Sequence, residues 1–305
     1  MGKRWDVLGM GIVTVDDLIY LDHYPAPDSK EPVRASQRQG GGLTGTAVVA
    51  SARLGARTAY YGVLGEDELS AFSLQEFASE GVDCSSVVRR KGAKPRHSII
   101  MIDQSNGQRT ILYSTEISSI PQPEEIPLSL IAECKVLVTD YVAGVSGVYA
   151  ARQARSLGIP VVVDIENIVS PEVKELMALT NHLIVGFELA KQLTGEEQPA
   201  KMVHAMARKD RDVTVVTAGA QGCWYCLQGD AVYHVPALKV KVVDTTGCGD
   251  VFHGAYAASI ASGEDIHRAI RVATITAGIK ASCPGGRSGI PSRAKVEEVF
   301  INNLG

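Results

Sequence analysis

No run of 18 apolar residues occurs in the 305-residue chain, which excludes a membrane-spanning helix. Basic charge is not in excess either: 30 Lys and Arg stand against 34 Asp and Glu, for a net charge of −4. A nucleic-acid backbone or an acidic membrane surface therefore meets no polybasic stretch. Internal repeats, low-complexity tracts and linker-like segments are missing as well. The opening MGKRWDVLGMG carries two basic residues, but Asp6, Asp16 and Asp17 interrupt any signal-peptide core. Asp6 also stands where myristoylation of Gly2 wants Ser or Thr. These absences lead to the expectation of a soluble, cytoplasmic protein that binds neither nucleic acid nor membrane.

Cysteine is scarce for the length, with six in all. A chain of this size does not need disulfide staples. The one suggestive spacing, Cys223-Trp-Tyr-Cys226, falls in a hairpin pattern, VTVVTAG then GCWYCL, a Gly229-Asp230 turn and AVYHVP. Residues three apart on a strand point to opposite faces, so the two sulfurs diverge and a redox or zinc role is not expected. What the chain does have is core material: 45% hydrophobic and 21% charged residues. At this length about three quarters of the unfolded surface can be buried.

Apolar runs at 5–13, 58–65, 135–142, 159–165, 182–187 and 213–219 suit strands buried on both faces of a parallel sheet. Helical patterns fill 44–54, 68–80, 146–157, 171–179, 188–194 and 199–208, several closing on a glycine (Gly55, Gly81, Gly158, Gly195) as a C-cap would. The alternation predicts right-handed crossovers and a three-layer α/β/α fold with a mostly parallel central sheet. Two stretches break the rhythm. Residues 12–36 alternate like surface β structure, and 96–115 read as a hairpin turning at Asn106-Gly107. Strands there, in segments of about 12–36 and 94–118, would form a small lid on one domain spanning 1–305. From about 264 the chain is helical again, followed by the glycine-rich CPGGRSG loop.

Chemistry concentrates at Asp244-Thr-Thr-Gly-Cys-Gly-Asp250-Val-Phe-His-Gly. A glycine turn opening a helix aims unpaired N–H groups at one point, with the positive end of the helix dipole behind them. Such a nest binds an anion, typically phosphate. Asp250 at the helix start could serve as a cap. If the nest holds a transferring phosphoryl group, the same carboxylate is placed to deprotonate the attacking hydroxyl, a contribution of typically ~10²–10⁴-fold.

The string DTTGCGDVFHG resembles the C-terminal signature of the PfkB, or ribokinase-like, carbohydrate kinases. The segment Gly41-Gly42-Leu-Thr-Gly-Thr46 through Arg53-Leu-Gly55 resembles their N-terminal signature. Gly9-Met-Gly-Ile-Val-Thr-Val-Asp16 and Val216-Thr217-Ala-Gly219-Ala-Gln-Gly222 match two further pieces, all in family order between residues 9 and 290. The resemblance implies a ribokinase-like fold and transfer of the γ-phosphoryl of ATP, with Mg²⁺, to a hydroxyl of a sugar or sugar-like molecule. It implies that Asp250 is the base and that Gly247, Cys248 and Gly249 form the anion hole. Asp16 would hold sugar hydroxyls, with Gly41, Gly42 and Thr46 beside it. Thr217, Gly219 and Gly222 would form the nucleotide loop. Asp244 and Thr246 match positions that bind a monovalent cation such as K⁺. Homodimerisation through the lid is a further family-level expectation.

Three departures from the family pattern stand out. Thr46 replaces a usual Asn and loses an amide fork. The Asn-x-x-Glu element that helps organise Mg²⁺ is absent, its place reading Gly186-Phe-Glu188 with the carboxylate in a shifted register. Cys248 replaces a usual Ala, and its place at a helix N-terminus predicts a lowered thiol pKa and sensitivity to alkylation. Among branches, the motifs look most like sulfofructose kinases. Lys30 matches one member of that branch's sulfonate grip, but Leu112 and Val142 occupy the other two positions. An apolar pair leaves a buried anion unpaired at a cost of several kcal/mol in order of magnitude. A ketose-like acceptor without the sulfonate is therefore favoured. Other readings stay open: a nucleoside or pyridoxal kinase, with Tyr20, Tyr24 and Tyr113 as stacking candidates, or a non-catalytic sugar- or ATP-binding protein. A dinucleotide-binding oxidoreductase rests only on Gly9 and Gly11, since Thr14 stands where a third glycine belongs.

Overall fold

Strand residues in this computed structural model, which describes residues 2–106 and 108–302, alternate between two apolar layers. Val7 packs into one and Leu8 into the other; Val162 enters the first, and Val161 and Val163 the second. Two-sided burial of this kind requires helices on both faces of the sheet.

In chain order the elements begin β1 (Trp5–Met10), β2 (Thr14–Leu21), β3 (Ala35–Gly41), α1 (Leu43–Arg53), β4 (Thr58–Tyr60), β5 (Val63–Leu64), α2 (Glu68–Ser79), β6 (Val88–Arg89), β7 (Arg96–Asp103) and β8 (Arg109–Tyr113). There follow α3 (Leu128–Ala132), β9 (Cys134–Asp140), α4 (Gly144–Ser156), β10 (Val161–Ile165), α5 (Pro171–Leu179), β11 (His182–Gly186), α6 (Phe187–Thr194), α7 (Pro199–Met206) and β12 (Val213–Thr217). The antiparallel hairpin β13 (Cys223–Leu227) and β14 (Val232–Val235) then leads to α8 (Cys248–Ala261), α9 (Ile266–Lys280) and α10 (Arg293–Asn302).

The main sheet runs β14-β13-β12-β11-β10-β9-β1-β4, parallel from β12 to β4. Residues of α1, α8, α9 and α10 fill one apolar layer, and residues of α3 to α7 the other. The three-layer expectation holds. Gly55, Gly81, Gly158 and Gly195 all take positive φ, between 67° and 88°, at the ends of their helices. Cys223 and Cys226 fall in opposite layers and are free thiols, so their sulfurs diverge as the strand period requires.

A second sheet, β3-β2-β7-β8, forms the lid. Its boundaries correct the sequence reading: β3 runs through Gly41, well past residue 36, so Gly40 and Gly41 are themselves lid strand. The single strand expected at 58–65 is also two. Tyr61 and Gly62 break it, and β5 leaves the main sheet to pair with β6. The hairpin β7–β8 is antiparallel, and Gly107 of its expected Asn106-Gly107 turn lies outside the described residues. No helix among the described residues is long and apolar enough to cross a membrane.

Candidate active site

Lid and main sheet enclose a cleft of about 1170 Å³, with the start of α8 at its floor. Gly247 caps that helix in the left-handed conformation (φ 74°) and leaves 3.0 Å between an added Cβ and the Gly286 carbonyl. A side chain there would be both strained and crowded. The amide of Cys248 is committed to the Thr245 carbonyl at 3.2 Å. Those of Gly249 and Asp250 lie in the first turn, whose N–H groups have no intrahelical acceptor. The unpaired N–H groups of this turn are thus centred one residue further along than the sequence suggests. Cys248 faces away from the cleft, its Sγ 3.6 Å from the Ala277 carbonyl. Burial pushes its thiol above the ordinary range, reversing the expected activation.

Asp250 lines the cleft together with Asp164 and Glu166, which project from the end of β10. Burial, and then the charges of Asp164 and Glu166, push the Asp250 carboxyl well above the usual carboxylate range; Asp164 is also within hydrogen-bond reach. The same causes, burial and the neighbouring Asp164 and Asp140, raise Glu166 to about 7. His253, one turn beyond Asp250, is buried with Nδ1 2.8 Å from the Gly249 carbonyl and 3.2 Å from Asp164 Oδ2. Its Nε2 lies 3.2 Å from the Ile184 carbonyl. It tethers β10 to α8.

Behind this group Asp140 is fully buried and pushed up to about 6 by that burial. Its Oδ2 accepts from the Ile12 amide (2.7 Å) and the Thr44 hydroxyl (2.6 Å), and its Oδ1 from the Val142 and Ala143 amides (3.0 and 3.2 Å). One carboxylate therefore pins β1, α1 and β9 together at the cleft base.

On the lid side, Asp16 of β2 stands opposite Ser98 of β7 in register, and both side chains line the cleft. Burial pushes the Asp16 carboxyl upward, against the nearby Ser98 hydroxyl and the charge of Arg287. Thr14's hydroxyl is close enough to favour the charged form but is not aligned to hydrogen-bond. Gly41 is glycine because a Cβ would lie 2.1 Å from Asp16 Oδ2. Its role is to seat that carboxylate. Gly42 (φ 87°) is the member of the pair that lines the cleft. Thr46 is buried on α1, with Arg287 Nε 3.4 Å from its hydroxyl, and is not a cleft residue. Arg287 also donates to the Gly41 carbonyl at 2.8 Å, a support for the acceptor side that a lone arginine in a glycine-rich loop did not announce.

Thr217 and Gly219 line the far end of the cleft with Ala218, Ala220 and Gln221. Gly222 does not; it is tucked against β14, a Cβ there falling 2.0 Å from the Val235 carbonyl. Glu188 lines the mouth and is exposed. Lys30 is exposed on the loop between β2 and β3 and stands outside the cleft lining. Leu112 pairs with Ile99 on the outer lid face, both exposed, while Val142 does line the cleft. The sulfonate grip is therefore not assembled from these positions. Of the three tyrosines considered for stacking, Tyr113 lines the cleft and Tyr20 and Tyr24 do not. Gly9 and Gly11 serve packing: added Cβ atoms would meet Val48 Cγ1 and Thr44 Oγ1, each at 2.1 Å. They make room for α1 rather than for a pyrophosphate.

The model of the pfkB family of carbohydrate kinases matches residues 10–293. The chain is 25% identical over 308 residues to a ribokinase of Haemophilus influenzae, covering 98% of each. It is 26% identical over 289 residues to the ketohexokinase of Mus musculus, covering 92% of this chain and 97% of that one. Its structure resembles that of Arabidopsis thaliana ribokinase complexed with ribose and ATP, with a TM-score of 0.85, 22% identity and coverage of 98% and 99%.

Proposed function

The chain belongs to the pfkB family of carbohydrate kinases, and from that premise we propose how its cleft moves the γ-phosphoryl of ATP onto a hydroxyl of a sugar. Asp250 takes the proton of the acceptor hydroxyl as that oxygen attacks the γ-phosphorus and ADP departs. The amides of Gly249 and Asp250, with Gly247 shaping the turn, steady the charge on the transferring group. Phosphoryl transfer is mostly positioning and electrostatics, which preformed N–H donors supply without reorganisation. Asp16 accepts hydrogen bonds from acceptor hydroxyls, aided by Gly42. Thr217 and Gly219 border the nucleotide. The observation that carries this reading is Asp250 at the cleft floor, at the mouth of a helix N-terminus and facing the lid aspartate Asp16 across one enclosed space.

The donor set suits Mg²⁺. Asp164 and Glu166 would offer carboxylate oxygens to the ion, in a spot so rich in negative charge that Glu166 is raised to about 7. A hard divalent cation prefers such oxygens and accompanies the phosphates, whose charge it neutralises. Glu188, exposed at the mouth, is not the organiser in this reading.

Asp244, one of the two residues expected to bind K⁺, has its carboxylate and its carbonyl already engaged. Asp244 Oδ1 accepts from the Thr246 amide (2.8 Å) and hydroxyl (2.7 Å), and Oδ2 from the Gly285 amide (2.9 Å). Its carbonyl accepts from Lys280 Nζ at 2.9 Å, and Arg109 lies 3.5 Å from Oδ1. Against the upward push of burial, these donors and the Lys280 charge hold the Asp244 carboxyl below its usual range. In this reading the built-in ammonium of Lys280 supplies the positive charge in place of a monovalent ion.

Ketose acceptors remain in view because one relative is a ketohexokinase. We place the enzyme in the cytoplasm as one kinase unit spanning 1–305, and as a homodimer formed through the outer lid face, where Ile99 and Leu112 are exposed. An acceptor screen read by ADP release tests the activity. No turnover with any sugar, nucleoside or pyridoxal would favour a binding protein.

A further inference from the structure

The lid face over the cleft holds an arginine, Arg96, that makes no ion pair among the described residues. Arg96 opens β7 directly opposite Thr14 of β2, one same-face step from the Asp16–Ser98 pair. That step is about 7 Å along the strands. All four side chains line the cleft. Arg96 Nε is buried and has no hydrogen-bond partner, and neither has the buried Thr14 hydroxyl. The guanidinium instead lies over the Tyr113 ring, 5.1 Å from its centroid. The other cleft arginine, Arg109, has Asp244 at 3.5 Å; Arg96 has no such ion pair among the described residues.

An orphaned buried donor is costly, although the guanidinium as a whole is only half-buried. Arginine has only donors, so whatever satisfies Nε must be an acceptor, and its planar fork matches a carboxylate or phosphate. The site lies beside the aspartate that takes acceptor hydroxyls and is not part of the nucleotide loop. We propose that the phosphoryl acceptor is a polyhydroxylated molecule carrying one oxyanion group, a sugar acid or a sugar phosphate, with that group bound by Arg96 and the Thr14 hydroxyl. This rests on the phosphotransfer reading above and narrows it to a substrate class. Tyr113 holds the guanidinium flat, and Asp16 engages the hydroxyls next along the chain of carbons.

The test pairs acceptors of equal carbon number: aldonates and 2-keto-aldonates in one arm, sugar monophosphates in another, neutral aldoses and ketoses as counterparts. Turnover is followed by ADP release, and binding by the shift in Tm in the presence of a non-hydrolysable ATP analogue. We expect one anionic arm to exceed its neutral counterpart in kcat/KM by about tenfold or more, the size of one charge-assisted hydrogen bond. In Arg96→Gln that ratio should fall towards one, and in Thr14→Val it should fall part of the way. The arm that responds tells a carboxylate from a phosphate. Equal or better turnover of neutral sugars overturns the oxyanion and leaves the kinase standing. So does an Arg96→Gln variant that lowers both arms alike or weakens only the nucleotide analogue. Should Arg96→Gln fail to fold, the wild-type preference and Thr14→Val still decide. If acids raise Tm in an Arg96-dependent way but no acceptor is phosphorylated, the oxyanion site is upheld and the kinase reading fails.

Discussion

Lys280 Nζ donates to the main-chain carbonyl of Asp244 at 2.9 Å, from a side chain that is wholly buried. The carbonyl belongs to the strip that leads into the start of α8, so an ammonium whose pKa is lowered by burial stands behind the turn proposed to hold phosphate. Turnover should therefore be the same in KCl, NaCl and choline chloride at matched ionic strength, and Tm should not respond to K⁺. Lys280→Met should lower kcat by about tenfold or more and confer a dependence on K⁺ or NH₄⁺. Activation of the wild type by K⁺ alone would show that the ammonium does not fill this role.

Asp250→Asn keeps the shape and removes the basicity. It should reduce kcat by roughly 10²–10⁴-fold while the Kd for ATP stays within a few-fold. Calorimetric titration of ATP alongside steady-state rates separates the two, and an unimpaired rate would remove Asp250 as the base.

Gly41→Ala places a methyl group 2.1 Å from Asp16 Oδ2. Overpacking of this kind costs about 1–3 kcal/mol, here levied on the orientation of the acceptor ligand. KM for the acceptor should rise about tenfold, with KM for ATP little changed. A uniform loss of both would point to misfolding instead, which circular dichroism would reveal.

Glu166 is raised in the folded protein, to about 7 from an ordinary value of 4.5. A raised carboxyl binds its proton more tightly when folded, so its contribution is present below about pH 4.5 and is lost as pH climbs through about 7. Glu166→Gln should accordingly raise Tm of the ligand-free protein near about pH 8 and change it little near about pH 4.5. The gain is on the order of 1 kcal/mol or less, because the residue reaches the solvent at the cleft mouth. Mg²⁺ with an ATP analogue should reduce the difference. A larger gain at the acid end would reverse the assigned sign.

Cys248 should label slowly with iodoacetamide near about pH 8, since burial raises its thiol and the sulfur points at the Ala277 carbonyl. Peptide mapping by mass spectrometry reads this directly. Rapid alkylation would mean that the helix dipole outweighs desolvation at this position.

The parts of the site that could be read from sequence are those written in contiguous residues. Gly247 to Asp250 is a local string, and a glycine turn before an alanine-rich helix has few other meanings. Asp16 and Thr217, which also line the cleft, stand in similar strings. What the sequence hid was solitary and assembled at long range. Asp140 is one acid at a strand end, yet it receives donors from residues about 100 positions away. Arg287 and Lys280 look like ordinary surface cations until α9 and the loop after it bury them. Arg96 gains meaning only from its register with Thr14. Thr46 lies outside the cleft lining for a related reason: a signature tells which residues travel together, not which of them face the cleft. The break at Tyr61-Gly62 went unseen because apolar continuity does not reveal a change of sheet.

In the lid, β2 and β7 pair in parallel, although α1, β4, β5, α2 and β6 all lie between them in the chain. No single excision can remove this flap, and no single graft can replace it. Asp16 arrives on one segment and Arg96 on the other, so under the proposed roles the taste for one acceptor over another is shared between two remote stretches of sequence. Swapping either half alone from a relative should yield a mismatched seam along β2 and β7. A change of diet in this enzyme would require both halves to move together.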